Sequence, residues 1–177
     1  LIIFFKKIKT NKILTFNNLK VNGGKEMNIV KIDNSWVHID LTFDATISQS
    51  SIIRHDYFGL TAQMVSRDHQ FNIAFYPAAS NTSLEYYHKQ KLVVTDKKKV
   101  PALLVELLSD NKRSITFRLE TKDYRTDHSN EIMQQASNLL SQRGISASIA
   151  LRYNVAQSVY CIMFGEGSWN QRMKKGR

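Results

Sequence analysis

The chain has one cysteine, Cys161, five histidines and fifteen Asp and Glu residues from which acid–base or nucleophilic chemistry would be drawn. A thiol attacks a carbonyl as its thiolate, and it needs a neighbouring base or a helix N-terminus to become one. Cys161 sits inside the apolar run Val159-Tyr160-Cys161-Ile162-Met163-Phe164, where it reads as a small core residue. His38 and Asp40 lie two apart on one face of a strand pattern, so the imidazole has a carboxylate within reach. Asp40 reads equally well as a structural hydrogen-bonding residue. His55, His69, His88 and His128 show no metal-ligand spacing, so neither a metal nor a cofactor is expected. Asp68-His69 is an adjacent acid and imidazole, which alone says little. Lys97-Lys98-Lys99 could cradle a phosphate, but a solvated helix end beside Asp96 is the simpler reading. Gly23-Gly24 lacks the Lys-Ser/Thr of a phosphate loop, and Gly165-Glu166-Gly167 ends a strand with no helix after it, which disfavours nucleotide enzymes.

The elements that must position these residues follow from periodicity. Met27 to Ile32 alternates with period two, Asp33-Asn34-Ser35 supplies turn chemistry, and Trp36 to Phe43 is rich in aromatic and β-branched residues. Together they predict a β-hairpin with Trp36, His38, Asp40 and Thr42 on one face. Residues 13–21 read as a weak strand interrupted by two Asn, and 44–60 as a long loop. A short helix is expected from Thr61, its N-cap, to Asp68. Residues 70–90 are aromatic-rich without a regular period, and Tyr86 and Tyr87 are expected to close the join between two halves or, less simply, to stack on a ligand.

Beyond residue 90 the pattern sharpens. Lys91 to Thr95 is a short strand. Val100, Leu103, Leu104, Leu107 and Leu108 line one helical face, with Pro101 tolerated in the first turn. Ser114 to Glu120 is a strand. Asp127 caps a helix whose inner face is Ile132, Met133, Ala136, Leu139 and Leu140, and Gly144 suits its end. Strands Ile145–Tyr153 and Ser158–Phe164 close a β-α-β-α-β-β unit with two helices on one face of a small sheet.

A chain of 177 residues with 42% hydrophobic content is long and apolar enough for a real core, which excludes wholesale disorder. One cysteine excludes an intramolecular disulfide framework. The formal net charge is +10, and all of the excess lies in residues 1–31 and 169–177. A folded nucleic-acid domain would carry that footprint on its body, so nucleic acid is a disfavoured partner. The apolar run Leu1 to Phe5 is far shorter than the ~20 residues of a membrane span. Lys6 and Lys7 follow that run rather than precede it, so the start is not read as a signal peptide.

The stretch Asn28 to Asp44, NIVKIDNSWVHIDLTFD, resembles bacterial members of the transglutaminase-like superfamily, which share the papain-type cysteine-protease fold. Those proteins carry a motif similar to H-A-W-N, a strand, a turn, and a second strand similar to W-Y-H-[VL]-D-[VL]-T-[WF]-D. Asn28, Trp36, His38, Asp40, Thr42 and Asp44 fall on it in register. Asp56-Tyr57-Phe58 and the segment MVSRDH, Met64 to His69, are similar to the D-Y-F and S-x-D-H stretch that follows it. The resemblance spans roughly residues 25–70, and the C-terminal unit also looks like the tail of some members.

What the resemblance implies is a Cys-His-Asp triad: the thiolate attacks an amide or carboxamide carbonyl, the His shuttles the proton, and the Asp orients the imidazole. Asp40 falls at the orienting position. The family His falls at Lys25, whose amine, with a usual pKa of ~10.4, cannot replace an imidazole. Glu26 and Met27 replace the next two residues of the block. The nucleophile is expected to be absent, since residues 1–24 hold no cysteine. His38 is not the catalytic His of that pattern.

The expectations are therefore an α+β fold with an antiparallel hairpin or sheet from a transglutaminase-like core followed by the β-α-β-α-β-β unit. The divisions expected are an unrelated or poorly ordered leader at 1–24, a partial core at 25–85, the α/β unit at 86–168 and a basic tail at 169–177. The functional expectation is a truncated, catalytically inactive transglutaminase-like protein, whose parent family is often extracytoplasmic. The alternative is a non-enzymatic module that binds peptide, protein, glycan or cell-surface polymer.

Overall fold

A computed structural model of the chain describes residues 13–21, 25–49, 52–110 and 112–167. The fold is α+β, built as two compact units, residues 1–91 and 92–177. The Gly23-Gly24 turn and the 169–177 tail lie outside the described residues.

The first unit is a four-stranded antiparallel sheet in the order β1-β2-β3-β4, with β1 Ile13–Val21, β2 Lys25–Ile32, β3 Ser35–Ile39 and β4 Phe58–Leu60. The β2–β3 hairpin is the expected one. Asp33 and Asn34 both take positive φ, 46° and 68°, which matches the right-handed strand twist of a two-residue hairpin turn. Its register places Ile29 opposite His38 and Val30 opposite Val37. Successive side chains point to opposite faces. Both faces are therefore apolar: Met27 and Ile29 pack with Tyr57, Leu60, Met64 and Val65, and Val30, Ile32, Val37 and Ile39 pack with Phe58.

Three sequence expectations need correction here. The strand expected to run to Phe43 stops at Ile39, and Leu41–Ile47 forms helix α1. Asp40 decides this, because its carboxylate caps the helix by accepting from Phe43 N–H at 2.9 Å. The loop expected over 44–60 accordingly holds most of a helix and a strand. The leader expected over 1–24 contains β1, whose backbone ladders with β2; the register shift between Phe16 and Leu19 falls at the two Asn that weakened the strand pattern.

Thr61 caps helix α2, Ala62–Val65, through Met64 N–H as expected, although the helix is shorter than the 61–68 reading. Residues 70–90 hold two 3₁₀ turns, Ile73–Phe75 and Thr82–Leu84, and helix α3, Tyr86–Lys89. Tyr86 packs against the Val30–Phe58 cluster and the Tyr87 hydroxyl donates to Asp56 at 2.9 Å. Those contacts hold α3 in the first unit, which moves the boundary from 85/86 to 91/92.

The second unit follows the expected order: β5 Val93–Val94, α4 Val100–Ser109, β6 Ser114–Leu119, α5 Ser129–Gln142, β7 Ala147–Asn154 and β8 Val159–Gly167. Its sheet runs β5-β6-β8-β7, parallel only between β5 and β6. Val100, Leu104 and Leu108 of α4 and Ile132, Ala136, Leu139 and Leu140 of α5 bury against Phe117, Leu119, Tyr160, Ile162 and Phe164. The Asp127 carboxylate accepts from Ser129 N–H at 2.8 Å, and Gly144 takes φ of 60° beyond the helix end. Among the described residues no helix is long and apolar enough to cross a membrane.

Candidate functional site

Asp40 is 1% exposed and sits where β3 hands over to α1. Its extended backbone, φ −121° and ψ 93°, turns the carboxylate back over the first helical turn. Oδ1 accepts from Phe43 N–H, and Oδ2 lies 3.2 Å from His69 Nε2. His69 arrives from the turn that ends α2, where its N–H donates to Val65 carbonyl at 3.0 Å. The other ring nitrogen, Nδ1, lies 2.7 Å from Asp68 Oδ1. Asp68 Oδ2 in turn accepts from the Tyr57 hydroxyl at 2.6 Å. The His69 ring packs on Phe43 and Tyr57, with centroids 4.9 and 5.4 Å away.

The electrostatics of this cluster follow from its geometry. Burial alone would disfavour a charged His69 ring. Hydrogen bonds to Asp40 and Asp68, and the charges of both carboxylates, outweigh it and raise the pKa to about 9. His69 is thus an imidazolium at neutral pH, donating one N–H to each carboxylate, with aromatic faces beside it. A general base needs a free ring nitrogen to accept a proton. Here both nitrogens are engaged, and with its pKa raised to about 9 the ring stays protonated near pH 7.

His38 lies on the same side of the sheet as Met27 and Ile29 and is 1% exposed. Neither ring nitrogen has a hydrogen-bond partner, and the ring packs near Phe71 at 5.2 Å. Burial and then the His69 charge lower its pKa to about 4, so it stays neutral. Asp40, the carboxylate two residues away, is occupied by Phe43 N–H and His69 instead.

Asp44 extends the acidic line along α1. Its Oδ1 accepts from Tyr57 N–H at 2.9 Å, and Oδ2 has no hydrogen-bond partner. Burial, chiefly, raises its pKa to about 8; the Tyr57 N–H opposes this, and Asp56 and Asp40 reinforce it. The Arg54 charge opposes it too, as the weakest of these influences. The guanidinium is bidentate on Asp56, with Nε donating to Oδ1 at 2.9 Å and Nη2 to Oδ2 at 2.6 Å.

The remaining candidates are elsewhere. Lys25 begins β2 with its backbone opposite Val21. Cys161 is fully buried on β8 of the second unit, paired in register with Thr116 and Arg152. Lys97–Lys99 form a 3₁₀ turn capped by Asp96, and Lys97 pairs with Glu131 at 2.8 Å. Tyr86 lies tilted against His55, ring centroids 4.0 Å apart, and meets Tyr87 edge-on, both within the first unit. Among the described residues no group of three or more His, Cys, Asp or Glu side chains is arranged to hold a metal ion.

Asp40 stands out in the sequence, but its imidazole partner does not. In the sequence His69 stands beside Asp68, while its second partner lies 29 positions upstream. A signal was present: Asp40 and His69 belong to the two separate segments that carry the family resemblance. The chain matches no protein-family model, and comparison with curated proteins finds no match either.

Proposed function

We propose that this chain is a transglutaminase-like domain protein without acyl-transfer activity. The reading rests on the resemblance of residues 25–70 and on one observation: the imidazole that reaches Asp40 is clamped between two carboxylates. The parent chemistry needs a thiol, a ring nitrogen free to take its proton, and a carboxylate to orient that ring. Asp40 satisfies the third requirement. His69 fails the second, since it is already protonated and both its nitrogens are occupied. Cys161, the one cysteine of this chain, is buried within a strand and so fails the first. On this reading the Asp40–His69–Asp68 cluster is a structural tie between β3, α1 and the end of α2.

The test is an assay of the full chain with a glutamine-bearing peptide and a primary amine, and separately with peptide amides. No turnover is expected with either. Turnover that disappears after alkylation with iodoacetamide overturns the proposal.

A further inference from the structure

Strand β7 is an edge of the second unit's sheet, and its neighbours fix which of its backbone groups face outward. Arg118 N–H donates to Leu92 carbonyl on the β5 side, while Leu119 N–H donates to Ser158 carbonyl and Phe164 N–H to Arg113 carbonyl on the β8 side. Backbone groups alternate sides along an antiparallel ladder. Tyr160, Ile162 and Phe164 therefore bond to β6, and Val159, Cys161 and Met163 face β7. Their register partners on β7 are Asn154, Arg152 and Ala150. The N–H and C=O groups of Ile149, Leu151 and Tyr153 are left pointing outward, where among the described residues no strand lies. The same three residues carry apolar side chains on the helix-bearing face. Ile149 and Leu151 pack half-buried against the core of this unit, and the Tyr153 ring, 46% exposed, stacks near Tyr160 with centroids 6.1 Å apart. Edge strands are ordinarily blunted by proline, by charge or by a bulge. Here Arg152 is the only charged residue of β7, which has no proline, and a register shift between Ala147 and Ile149 confines the regular free edge to residues 149–153.

We infer that β7 pairs antiparallel with β7 of a second copy of this chain, about a two-fold axis at Leu151, so that the two sheets join into one. The edge is self-complementary under that rotation. Leu151 meets the same residue of the copy, and Ile149 meets the copy's Tyr153 on either side of the axis. Each pair exchanges two hydrogen bonds, because the outward groups of both copies belong to these residues. On the helix-bearing face Ile149 lies against the exposed tyrosine ring, an aromatic and β-branched pair of the kind that stabilises sheets. On the other face Arg152, which is exposed, falls opposite Ala150, so no like charges meet. The neighbouring registers are poorer. An axis at Arg152 sets two arginines directly opposite each other, and an axis at Ala150 puts Tyr153 opposite Ala147, beyond the register shift. A foreign peptide would have to supply this pattern of apolar and neutral residues, whereas a second copy already carries it. The inference stands apart from the acyl-transfer question, because β7 belongs to the second unit.

The experiment is analytical ultracentrifugation of the full chain from about 5 µM to about 1 mM, with residue-resolved amide hydrogen exchange at both ends of that range. Expected is a reversible dimer with Kd on the order of 100 µM, since one strand edge buries less than the ~1,200 Å² of a standard interface. On dimerisation the amides of Ile149, Leu151 and Tyr153 should gain protection several-fold, while those of Ala150 and Arg152, already bonded to β8, should be protected throughout. Ala150 is exposed, so charged substitutions there leave the core of the unit intact. Ala150→Lys sets like charges opposite Arg152 on both sides of the axis and should weaken the dimer about tenfold, whereas Ala150→Glu should tighten it several-fold. A chain that stays monomeric to about 1 mM overturns the inference. So does a dimer in which the three outward amides gain no protection, or one that responds to neither substitution or in the same direction to both.

Discussion

Asp40 and His69 stand 29 positions apart and meet at 3.2 Å, both almost wholly buried. The carboxylate that ends β3 thus serves two partners at once: the first turn of α1 through Phe43 N–H, and the turn after α2 through the imidazolium. Removing either partner of a buried charged pair leaves the other uncompensated, which is the expensive half of the exchange.

Asp40→Ala should therefore destabilise the chain by about 2–3 kcal/mol, from the lost cap together with a buried imidazolium left on Asp68 alone. Asp40→Asn should cost less, since an amide oxygen still caps the helix. Urea denaturation of the two variants beside the parent measures the difference. Equal and small losses would mean that His69 is not charged in the fold.

Stability should decline as pH rises from about 6.5 to 9. The folded pKa of His69 is raised to about 9 from its usual 6.5, so its contribution is complete below 6.5 and gone once pH passes 9. Asp44 acts in the same direction over a lower window, because its folded pKa is raised from 3.8 to about 8. Asp44→Asn should remove the Asp44 share of the slope between about pH 4 and 8 and leave the His69 fall from about 6.5 to 9. Thermal melts at half-unit pH intervals distinguish the two windows.

His38 works in the opposite sense. Its folded pKa is depressed to about 4, so its contribution is present above 6.5 and is lost as pH falls through 4. His38→Leu should remove that acid-side loss and also eliminate two buried nitrogens that lack partners. A gain of about 1 kcal/mol at pH 7 is expected, with the melt as readout. A loss of several kcal/mol would show that the ring shape matters more than its polarity.

Gly59 is held by sterics. It takes φ of 79°, and a Cβ built there would lie 2.3 Å from the Leu84 carbonyl oxygen. Gly59→Ala should cost on the order of 2–3 kcal/mol, from positive φ and from parting β4 from the Thr82–Leu84 turn. Chemical denaturation checks it; a neutral result would mean that this turn moves aside freely.

Much of this molecule was legible before any coordinates. The Asp-Asn hairpin, the Thr61 cap and the β-α-β-α-β-β order all follow from short-range rules, because the residues that set each one lie within a turn or two of it. Two kinds of feature were not. Leu41-Thr42-Phe43 has strand-forming composition and became helix because the Asp40 side chain satisfies Phe43 N–H, an outcome weighed against neighbours rather than read from propensity. The pairing of Asp40 with His69 depends on the α2 turn being laid beside the end of β3, and no local period reports which buried acid a distant imidazole will meet. Composition and periodicity determined which elements form; the tertiary fold decided the charge of His69, the neutrality of His38 and the buried, unpartnered oxygen of Asp44, since each depends on burial and on partners distant in sequence.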